Sequence, residues 1–264
     1  MRASTYHGGS ASIGSPEYWW YTARAELLEA ILHPFIGNPE RVLDVGSADG
    51  PSVGWLRRFG RQTNLDIDPR GLAPGGVCGS ALALPFSDGM FDIVAAFDVL
   101  EHCEPERLAL SELARVLAPG GRLLMSVPAY TWAWSDFDEE NGHHRRYTRT
   151  RAVEAVRDAG LEPLRSTYAF ASVFPAFVSE RLARRIRTAV SRADSRRPAD
   201  VVSLPEVSPR IAALLRRLCR IDRRILRTRN LPFGSSVVVA ARKPVVAGSS
   251  EIAGIARDAA DAAV

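Results

Sequence analysis

A short apolar run that stops in a glycine-bearing turn constrains this chain more than any other feature. Arg41-Val42-Leu43-Asp44-Val45 reads as a buried strand, Gly46-Ser47-Ala48-Asp49-Gly50 follows, and a helical pattern runs from Ser52 to Phe59. The same alternation then repeats. Thr63 to Ile67 reads as a second strand closed by Asp68-Pro69, a weak third lies near Val77, and Phe91 to Phe97 is a strong buried one. Pro105 to Leu117 is amphipathic and is stopped by Pro119-Gly120-Gly121. Arg122 to Val127 makes the next strand, and Thr150 caps a helix from Arg151 to Ala159. Glu162 to Phe170 and Ser236 to Ala241 read as the last strands, and a helix from Thr22 to Leu32 precedes the first. Alternation of this kind through residues 41–170 argues for an α/β domain built on a largely parallel sheet.

Composition removes several alternatives. With 264 residues, 46% of them hydrophobic and 24% charged, the chain can bury a core and is not globally disordered. No apolar run reaches the ~20 residues needed to cross a bilayer, and Met1 to Gly14 has no signal-like apolar stretch. Cys78, Cys103 and Cys219 lie far apart, which fits a reduced, cytoplasmic compartment. The net charge is only +4, yet 15 Arg against four acids fall between Arg181 and Asn230, so the remainder is acidic. That asymmetry points the basic region at something anionic.

The glycine turn is the first site candidate, because glycine lets a ligand approach backbone closely. Asp66 follows Gly46 by 20 residues, at a strand end where a carboxylate can accept ribose hydroxyls. Asp44, at the end of the first strand, would repel the pyrophosphate of a nicotinamide nucleotide. A nicotinamide-dependent oxidoreductase is therefore the weaker alternative, and a ligand with an amino-acid end fits better.

Taken in order, several blocks resemble the class I S-adenosylmethionine-dependent methyltransferases of small molecules. They are Val42 to Gly50; Leu65-Asp66-Ile67-Asp68; Ala83-Leu84-Pro85-Phe86 with Phe91-Asp92-Ile93-Val94; Asp98-Val99-Leu100-Glu101-His102; and Leu117 to Gly121. The resemblance covers residues 41–128. It implies a Rossmann-like seven-stranded, mostly parallel sheet with an antiparallel last strand, helices on both faces and a helical insertion before that strand. It also implies S-adenosyl-L-methionine as cofactor. Asp44 and Gly46, with Ser47 and Gly50 of the same turn, would line the methionine part, Asp66 the ribose and Ile67 the adenine. Ser80-Ala81 stands where the family usually carries an acid, and Asp98 would lie beside the sulfonium. On this reading residues 1–16 are a flexible arm, 17–243 the methyltransferase domain with an Arg-rich helical insertion at 171–234, and 244–264 a loose tail. The tail holds at best a marginal helix near Glu251 to Ala263. A non-catalytic, membrane-associated protein that keeps a cofactor pocket is the second alternative.

The acceptor side falls on the stretch after the fifth strand, where Tyr130, Trp134, His143, His144, Arg145, Arg146 and Tyr147 crowd together. Methyl transfer needs alignment and, for a hydroxyl or protonated amine, a base. His143 or His144 is the candidate base, and Arg145 and Arg146 can hold an anionic group of the acceptor. His102 is a further acceptor-side candidate. A metal set of Asp136, Asp138, Glu139 and His143 matches no zinc or calcium spacing, so no metal is expected. Near the N-terminus, Trp20 and Arg24 are placed over the cofactor.

Between Phe170 and Ser236 lie 65 residues, far more than two neighbouring strands require. Pro209 to Arg229 puts Ile211, Leu214, Leu215, Leu218, Ile221, Ile225 and Leu226 near one face and six Arg around the other. A helix docked on the domain is the leading expectation, peripheral membrane contact the next. Nucleic acid is not an expected partner, because stacking aromatics do not interleave the basic residues.

Overall fold

A computed structural model describes residues 17–47, 51–72, 74–190 and 207–245. The expected arm at 1–16, Gly50 of the turn, most of the Ser191 to Ser208 linker and nearly all of the tail, including its helix, lie outside the described residues.

Seven strands form one sheet: β1 (Arg41–Val45), β2 (Arg61–Asp66), β3 (Val77–Cys78), β4 (Phe91–Phe97), β5 (Leu117–Pro128), β6 (Glu162–Ala169) and β7 (Ser236–Arg242). Their order is β3-β2-β1-β4-β5-β7-β6. Six strands run one way and β7 runs against both β5 and β6. The expected seven-stranded, Rossmann-like sheet is therefore present. The runs of β1 and β4 are apolar almost throughout because helices cover both faces of a parallel sheet. The six described α-helices are α1 (Trp19–Leu32), α2 (Glu106–Val116), α3 (Asp136–Glu140), α4 (Arg149–Asp158), α5 (Phe174–Val190) and α6 (Pro209–Leu226). Leu27, Leu28, Ile31 and Leu32 of α1 are fully buried against this core.

Three local expectations change. The segment after the glycine turn is a 3-10 helix, Pro51–Arg58, where Gly54 weakens the case for an α-helix. Pro119-Gly120-Gly121 belongs to β5 and does not form a turn. The helix before it already ends at Val116, and Gly120, at φ +79°, donates to Lys243 O (2.9 Å) while Lys243 N–H donates to Gly121 O (2.8 Å). Those reciprocal bonds pull the segment into the sheet. Finally, α4 is capped by Thr148, whose hydroxyl accepts from Arg151 N–H at 3.2 Å, so it starts at Arg149.

The insertion is helical, as expected, and α6 is docked. Cys219, Asp222 and Leu226 are buried, the Asp222 carboxylate accepts the Ser172 N–H (3.0 and 3.1 Å), and Arg223 pairs with Glu26 of α1 at 2.8 Å. The apolar residues of α6 do not all share that contact: Ile211, Leu214, Ile221 and Ile225 face solvent. Among the described residues no helix is long and apolar enough to cross a membrane.

Candidate active site

Strand order reverses between β1 and β4, because the chain winds outward from β1 to β3 and then returns to β4. Ligands of such sheets sit in the crevice at that reversal, beyond the carboxyl ends of the strands. Gly46 opens this edge. Its φ is +68°, its N–H donates to Leu65 O (2.7 Å), and an added Cβ would come within 2.5 Å of Val99 Cγ2. A side chain there would push apart the turns after β1 and β4.

Asp44 stands just before this turn and is almost wholly buried, with neither carboxylate oxygen hydrogen-bonded. Burial pushes its pKa up to about 8, against the pull of Arg24 and Arg57, and nearby Asp66 pushes the same way. The buried Ser47 hydroxyl also has no partner. Buried polar atoms left this way are costly, and those at ligand sites find their partner in the ligand. An acceptor-only carboxylate and a hydroxyl suit the ammonium and carboxylate of an amino acid, so these residues fit the methionine end of S-adenosylmethionine. At the end of β2, Asp66 is buried and accepts the Asp68 N–H at 2.9 Å. Ile67 beside it is 51% exposed, an apolar platform at the crevice edge. Ser80 Oγ is occupied by Leu82 N–H (3.2 Å), and Ala81 is buried.

The loop after β4 carries Asp98, a non-glycine residue at φ +56°. Its carboxylate pairs with Arg24 at 2.7 Å and accepts the Ser126 hydroxyl at 2.9 Å, and Arg24 also donates to Ser126 Oγ at 3.1 Å. Arg24 reaches this loop from α1, with its guanidinium committed to Asp98. Trp20 covers that guanidinium at 5.2 Å and stacks on Phe170.

Beyond β5 the chain folds back over the β4 loop. His144 N–H donates to Glu101 O (2.7 Å) and Arg145 to Cys103 O (2.5 Å), which brings His143 against His102 with ring centroids 4.7 Å apart. His143 Nδ1 faces Asp138 Oδ1 at 2.8 Å. The same carboxylate takes Arg146 Nε at 2.7 Å and Ser135 N–H at 2.9 Å. Burial opposes the charge on Asp138, but His143 and Arg146 hold its pKa below the ordinary value. Arg181 of α5 bonds the Ser135 hydroxyl and lies over Phe137 and Phe177, and burial and Arg146 lower its pKa to about 10. Burial, with help from His143, lowers His102 to about 4, and burial with Asp98 raises Glu101.

Of the other acceptor-side candidates, the His144 side chain is exposed, and Arg145 pairs with Glu104 and lies 3.8 Å from Glu106. Arg146 is buried as a support for Asp138, and Tyr147 is a fully buried core residue. Tyr130, at φ +63°, stacks on Tyr168 and Trp132, and Trp134 is half-buried nearby. Sequence patterning assigns no role to Glu101, Ser126 or Arg181. The one available signal was the Asp98-x-x-Glu101-His102 spacing, which sets three polar side chains at the carboxyl edge of β4.

The methyltransferase-domain family matches residues 43–125, about a third of the chain, spanning the strands and turns just described. Residues 43–125 are thus similar to a methyltransferase domain. A demethylmenaquinone methyltransferase of Mycobacterium tuberculosis is 34% identical over 121 residues, 43% of this chain and 49% of that protein. A malonyl-acyl-carrier-protein O-methyltransferase of Herminiimonas arsenicoxydans is 35% identical over 136 residues, 46% of this chain and 52% of that one. The chain spans about half the length of these curated relatives. A SAM-dependent methyltransferase of Thermotoga maritima superposes with a TM-score of 0.53 over 88% of this chain and 95% of its own, at 16% identity. That likeness is one of fold.

Proposed function

We propose that this protein transfers the methyl group of S-adenosylmethionine to an oxygen or nitrogen of a small or lipid-linked acceptor. The observation that carries the reading is Asp44, a buried carboxylate with two unpartnered oxygens beside the Gly46 turn. The bound cofactor supplies an electrophilic methyl on positive sulfur, and the protein's part is to grip and align. Asp44 and Ser47 hold the amino-acid end, Asp66 accepts the ribose hydroxyls, and Ile67 lies under the adenine. Asp98, fixed by Arg24 and Ser126, adds negative charge on the sulfonium side. The acceptor enters past His102, Tyr130 and Trp134, and His143, oriented by Asp138, is the histidine that acts on it. Relatives named for demethylmenaquinone and for malonyl-acyl-carrier protein support an acceptor that is lipid-like or carrier-bound.

Calorimetry with S-adenosylmethionine and with nicotinamide nucleotides tests the cofactor, and binding of the latter alone would reject the proposal. Incubation with methyl-labelled cofactor and fractionated lysate then identifies the product. Failure of any fraction to yield S-adenosylhomocysteine would favour a non-catalytic protein.

A further inference from the structure

Glu101, His102 and His143 come from two separate loops, yet their ligand atoms lie within 4.8 Å of one another. Among the described residues they are the group of His, Cys, Asp or Glu side chains that converges in this way. Two independent features mark the cluster as built for a ligand. Glu101 is only 1% exposed, and its Oε2 has no hydrogen-bond partner. His143 turns Nδ1 to the Asp138 carboxylate at 2.8 Å, which leaves Nε2 with a free lone pair. Metal-bound histidines characteristically donate their second ring N–H to a carboxylate or a backbone carbonyl, which fixes the tautomer and strengthens the donor nitrogen.

We infer that Glu101, His102 and His143 form a divalent-cation site on the acceptor side of the crevice. Two imidazoles and one carboxylate select a borderline transition ion such as Zn2+, Mn2+ or Fe2+, whereas Ca2+ and Mg2+ prefer all-oxygen shells. Ligands of tetrahedral Zn2+ at ~2.0–2.1 Å stand about 3.3 Å apart, so side-chain adjustments on the order of 1 Å close the triad. Three protein ligands leave a coordination position open, which is the form of a catalytic rather than a structural site. The open position suits an acceptor oxygen, whose hydroxyl a bound cation would acidify, so that its proton passes to water, the oxygen takes the methyl and the sulfonium leaves as a neutral thioether. This use of the site rests on the methyl-transfer reading and says how His143 acts on the acceptor; the cation site itself does not depend on it. Asp138 lies outside the ligand set, as a positioning residue for His143.

The test uses the full chain, stripped with a chelator and titrated with Co2+ and with Zn2+, with bound metal measured by elemental analysis and by Co2+ visible absorption. One ion per chain is expected. Glu101→Gln, His102→Ala and His143→Ala should each weaken binding at least tenfold, while His33→Ala, remote from the cluster, should leave it unchanged. Asp138→Asn removes no ligand and should still weaken binding by about 10–100-fold. Circular dichroism and thermal melting show whether each variant is folded. Substoichiometric metal on the folded wild type, or equal affinity in the His102→Ala/His143→Ala double variant, would overturn the site. A chain that binds metal but no cofactor would uphold the site and sink the methyl-transfer reading. Cofactor binding without metal would do the reverse.

Discussion

Replacing Asp44 with Asn separates stability from binding in opposite directions. In the ligand-free protein burial raises this carboxyl from 3.8 to about 8. The folded state therefore keeps its proton across a range where the unfolded chain has lost it. Wild-type stability consequently falls as pH rises from about 4 towards 8, by ~1.4 kcal/mol per pH unit at most. At pH 7 that amounts to as much as about 4 kcal/mol, which Asp44→Asn would recover. The variant should melt higher than wild type at neutral pH, and the gap should close near pH 4. Binding should move the other way, since the ligand's ammonium loses a charged acceptor worth ~1.5–3 kcal/mol.

Wild-type binding carries its own signature. A group titrating at about 8 is ~90% protonated at pH 7, so pairing with an ammonium releases close to one proton per cofactor. Calorimetry in two buffers of different ionisation enthalpy measures that release directly. Below pH 7 a free α-amino group stays protonated, so the affinity should drop about tenfold per unit from pH 7 to 6. A flat affinity over that range, no buffer dependence, or an Asn variant no more stable than wild type at pH 7 would refute the reasoning.

Further outcomes follow from other contacts. Asp66→Ala should weaken cofactor binding by ~1–3 kcal/mol with little change in melting temperature, as measured by calorimetry and thermal denaturation. Asp138→Asn leaves Arg146 and Arg181 without their buried counter-charge and should cost about 3–5 kcal/mol in urea denaturation. The outer face of α6, with Ile211, Leu214, Ile221 and Ile225 exposed among Arg216, Arg217 and Arg220, should bind anionic vesicles in a salt-sensitive way. Co-sedimentation checks this, and binding unaltered by Ile211→Ser/Leu214→Ser would remove that face from the contact.

The sheet and the cofactor edge were legible because each depends on neighbours in sequence. β1 and β4 announce themselves as uninterrupted apolar runs, and the turn after β1 needs glycine at a position that Val99 leaves no room to fill. Asp44 and Asp66 follow from their place at strand ends. The acceptor side was only half legible. His102 and His143 are 41 residues apart, and no periodicity encodes their meeting, which depends on main-chain bonds such as His144 N–H to Glu101 O. Asp138 looked like one acid in an acidic run, yet its burial comes from Arg146 and from Arg181 of the insertion, contacts set by tertiary packing. Arg181 itself was hidden in an arginine-rich segment where local composition distinguishes none from another. Pro119-Gly120-Gly121 misled for a similar reason, because its partner is Lys243, just past β7 and more than 120 residues later.

One guanidinium explains why this edge wants cations. Arg24 pairs with Asp98, and its field is also the foremost positive influence on Asp44, ahead of Arg57, and on Glu101, ahead of Arg146. Desolvation makes an uncompensated carboxylate expensive, and burial raises the pKa of both Asp44 and Glu101. A fold selected for stability alone would place an apolar residue or a second arginine there, and proteins give up such stability where function requires it. The deficit is divided along the chain: Asp44 lies just before the β1 turn and Glu101 beyond β4. Two positively charged occupants would meet it, an ammonium with its sulfonium at the first and a metal ion at the second.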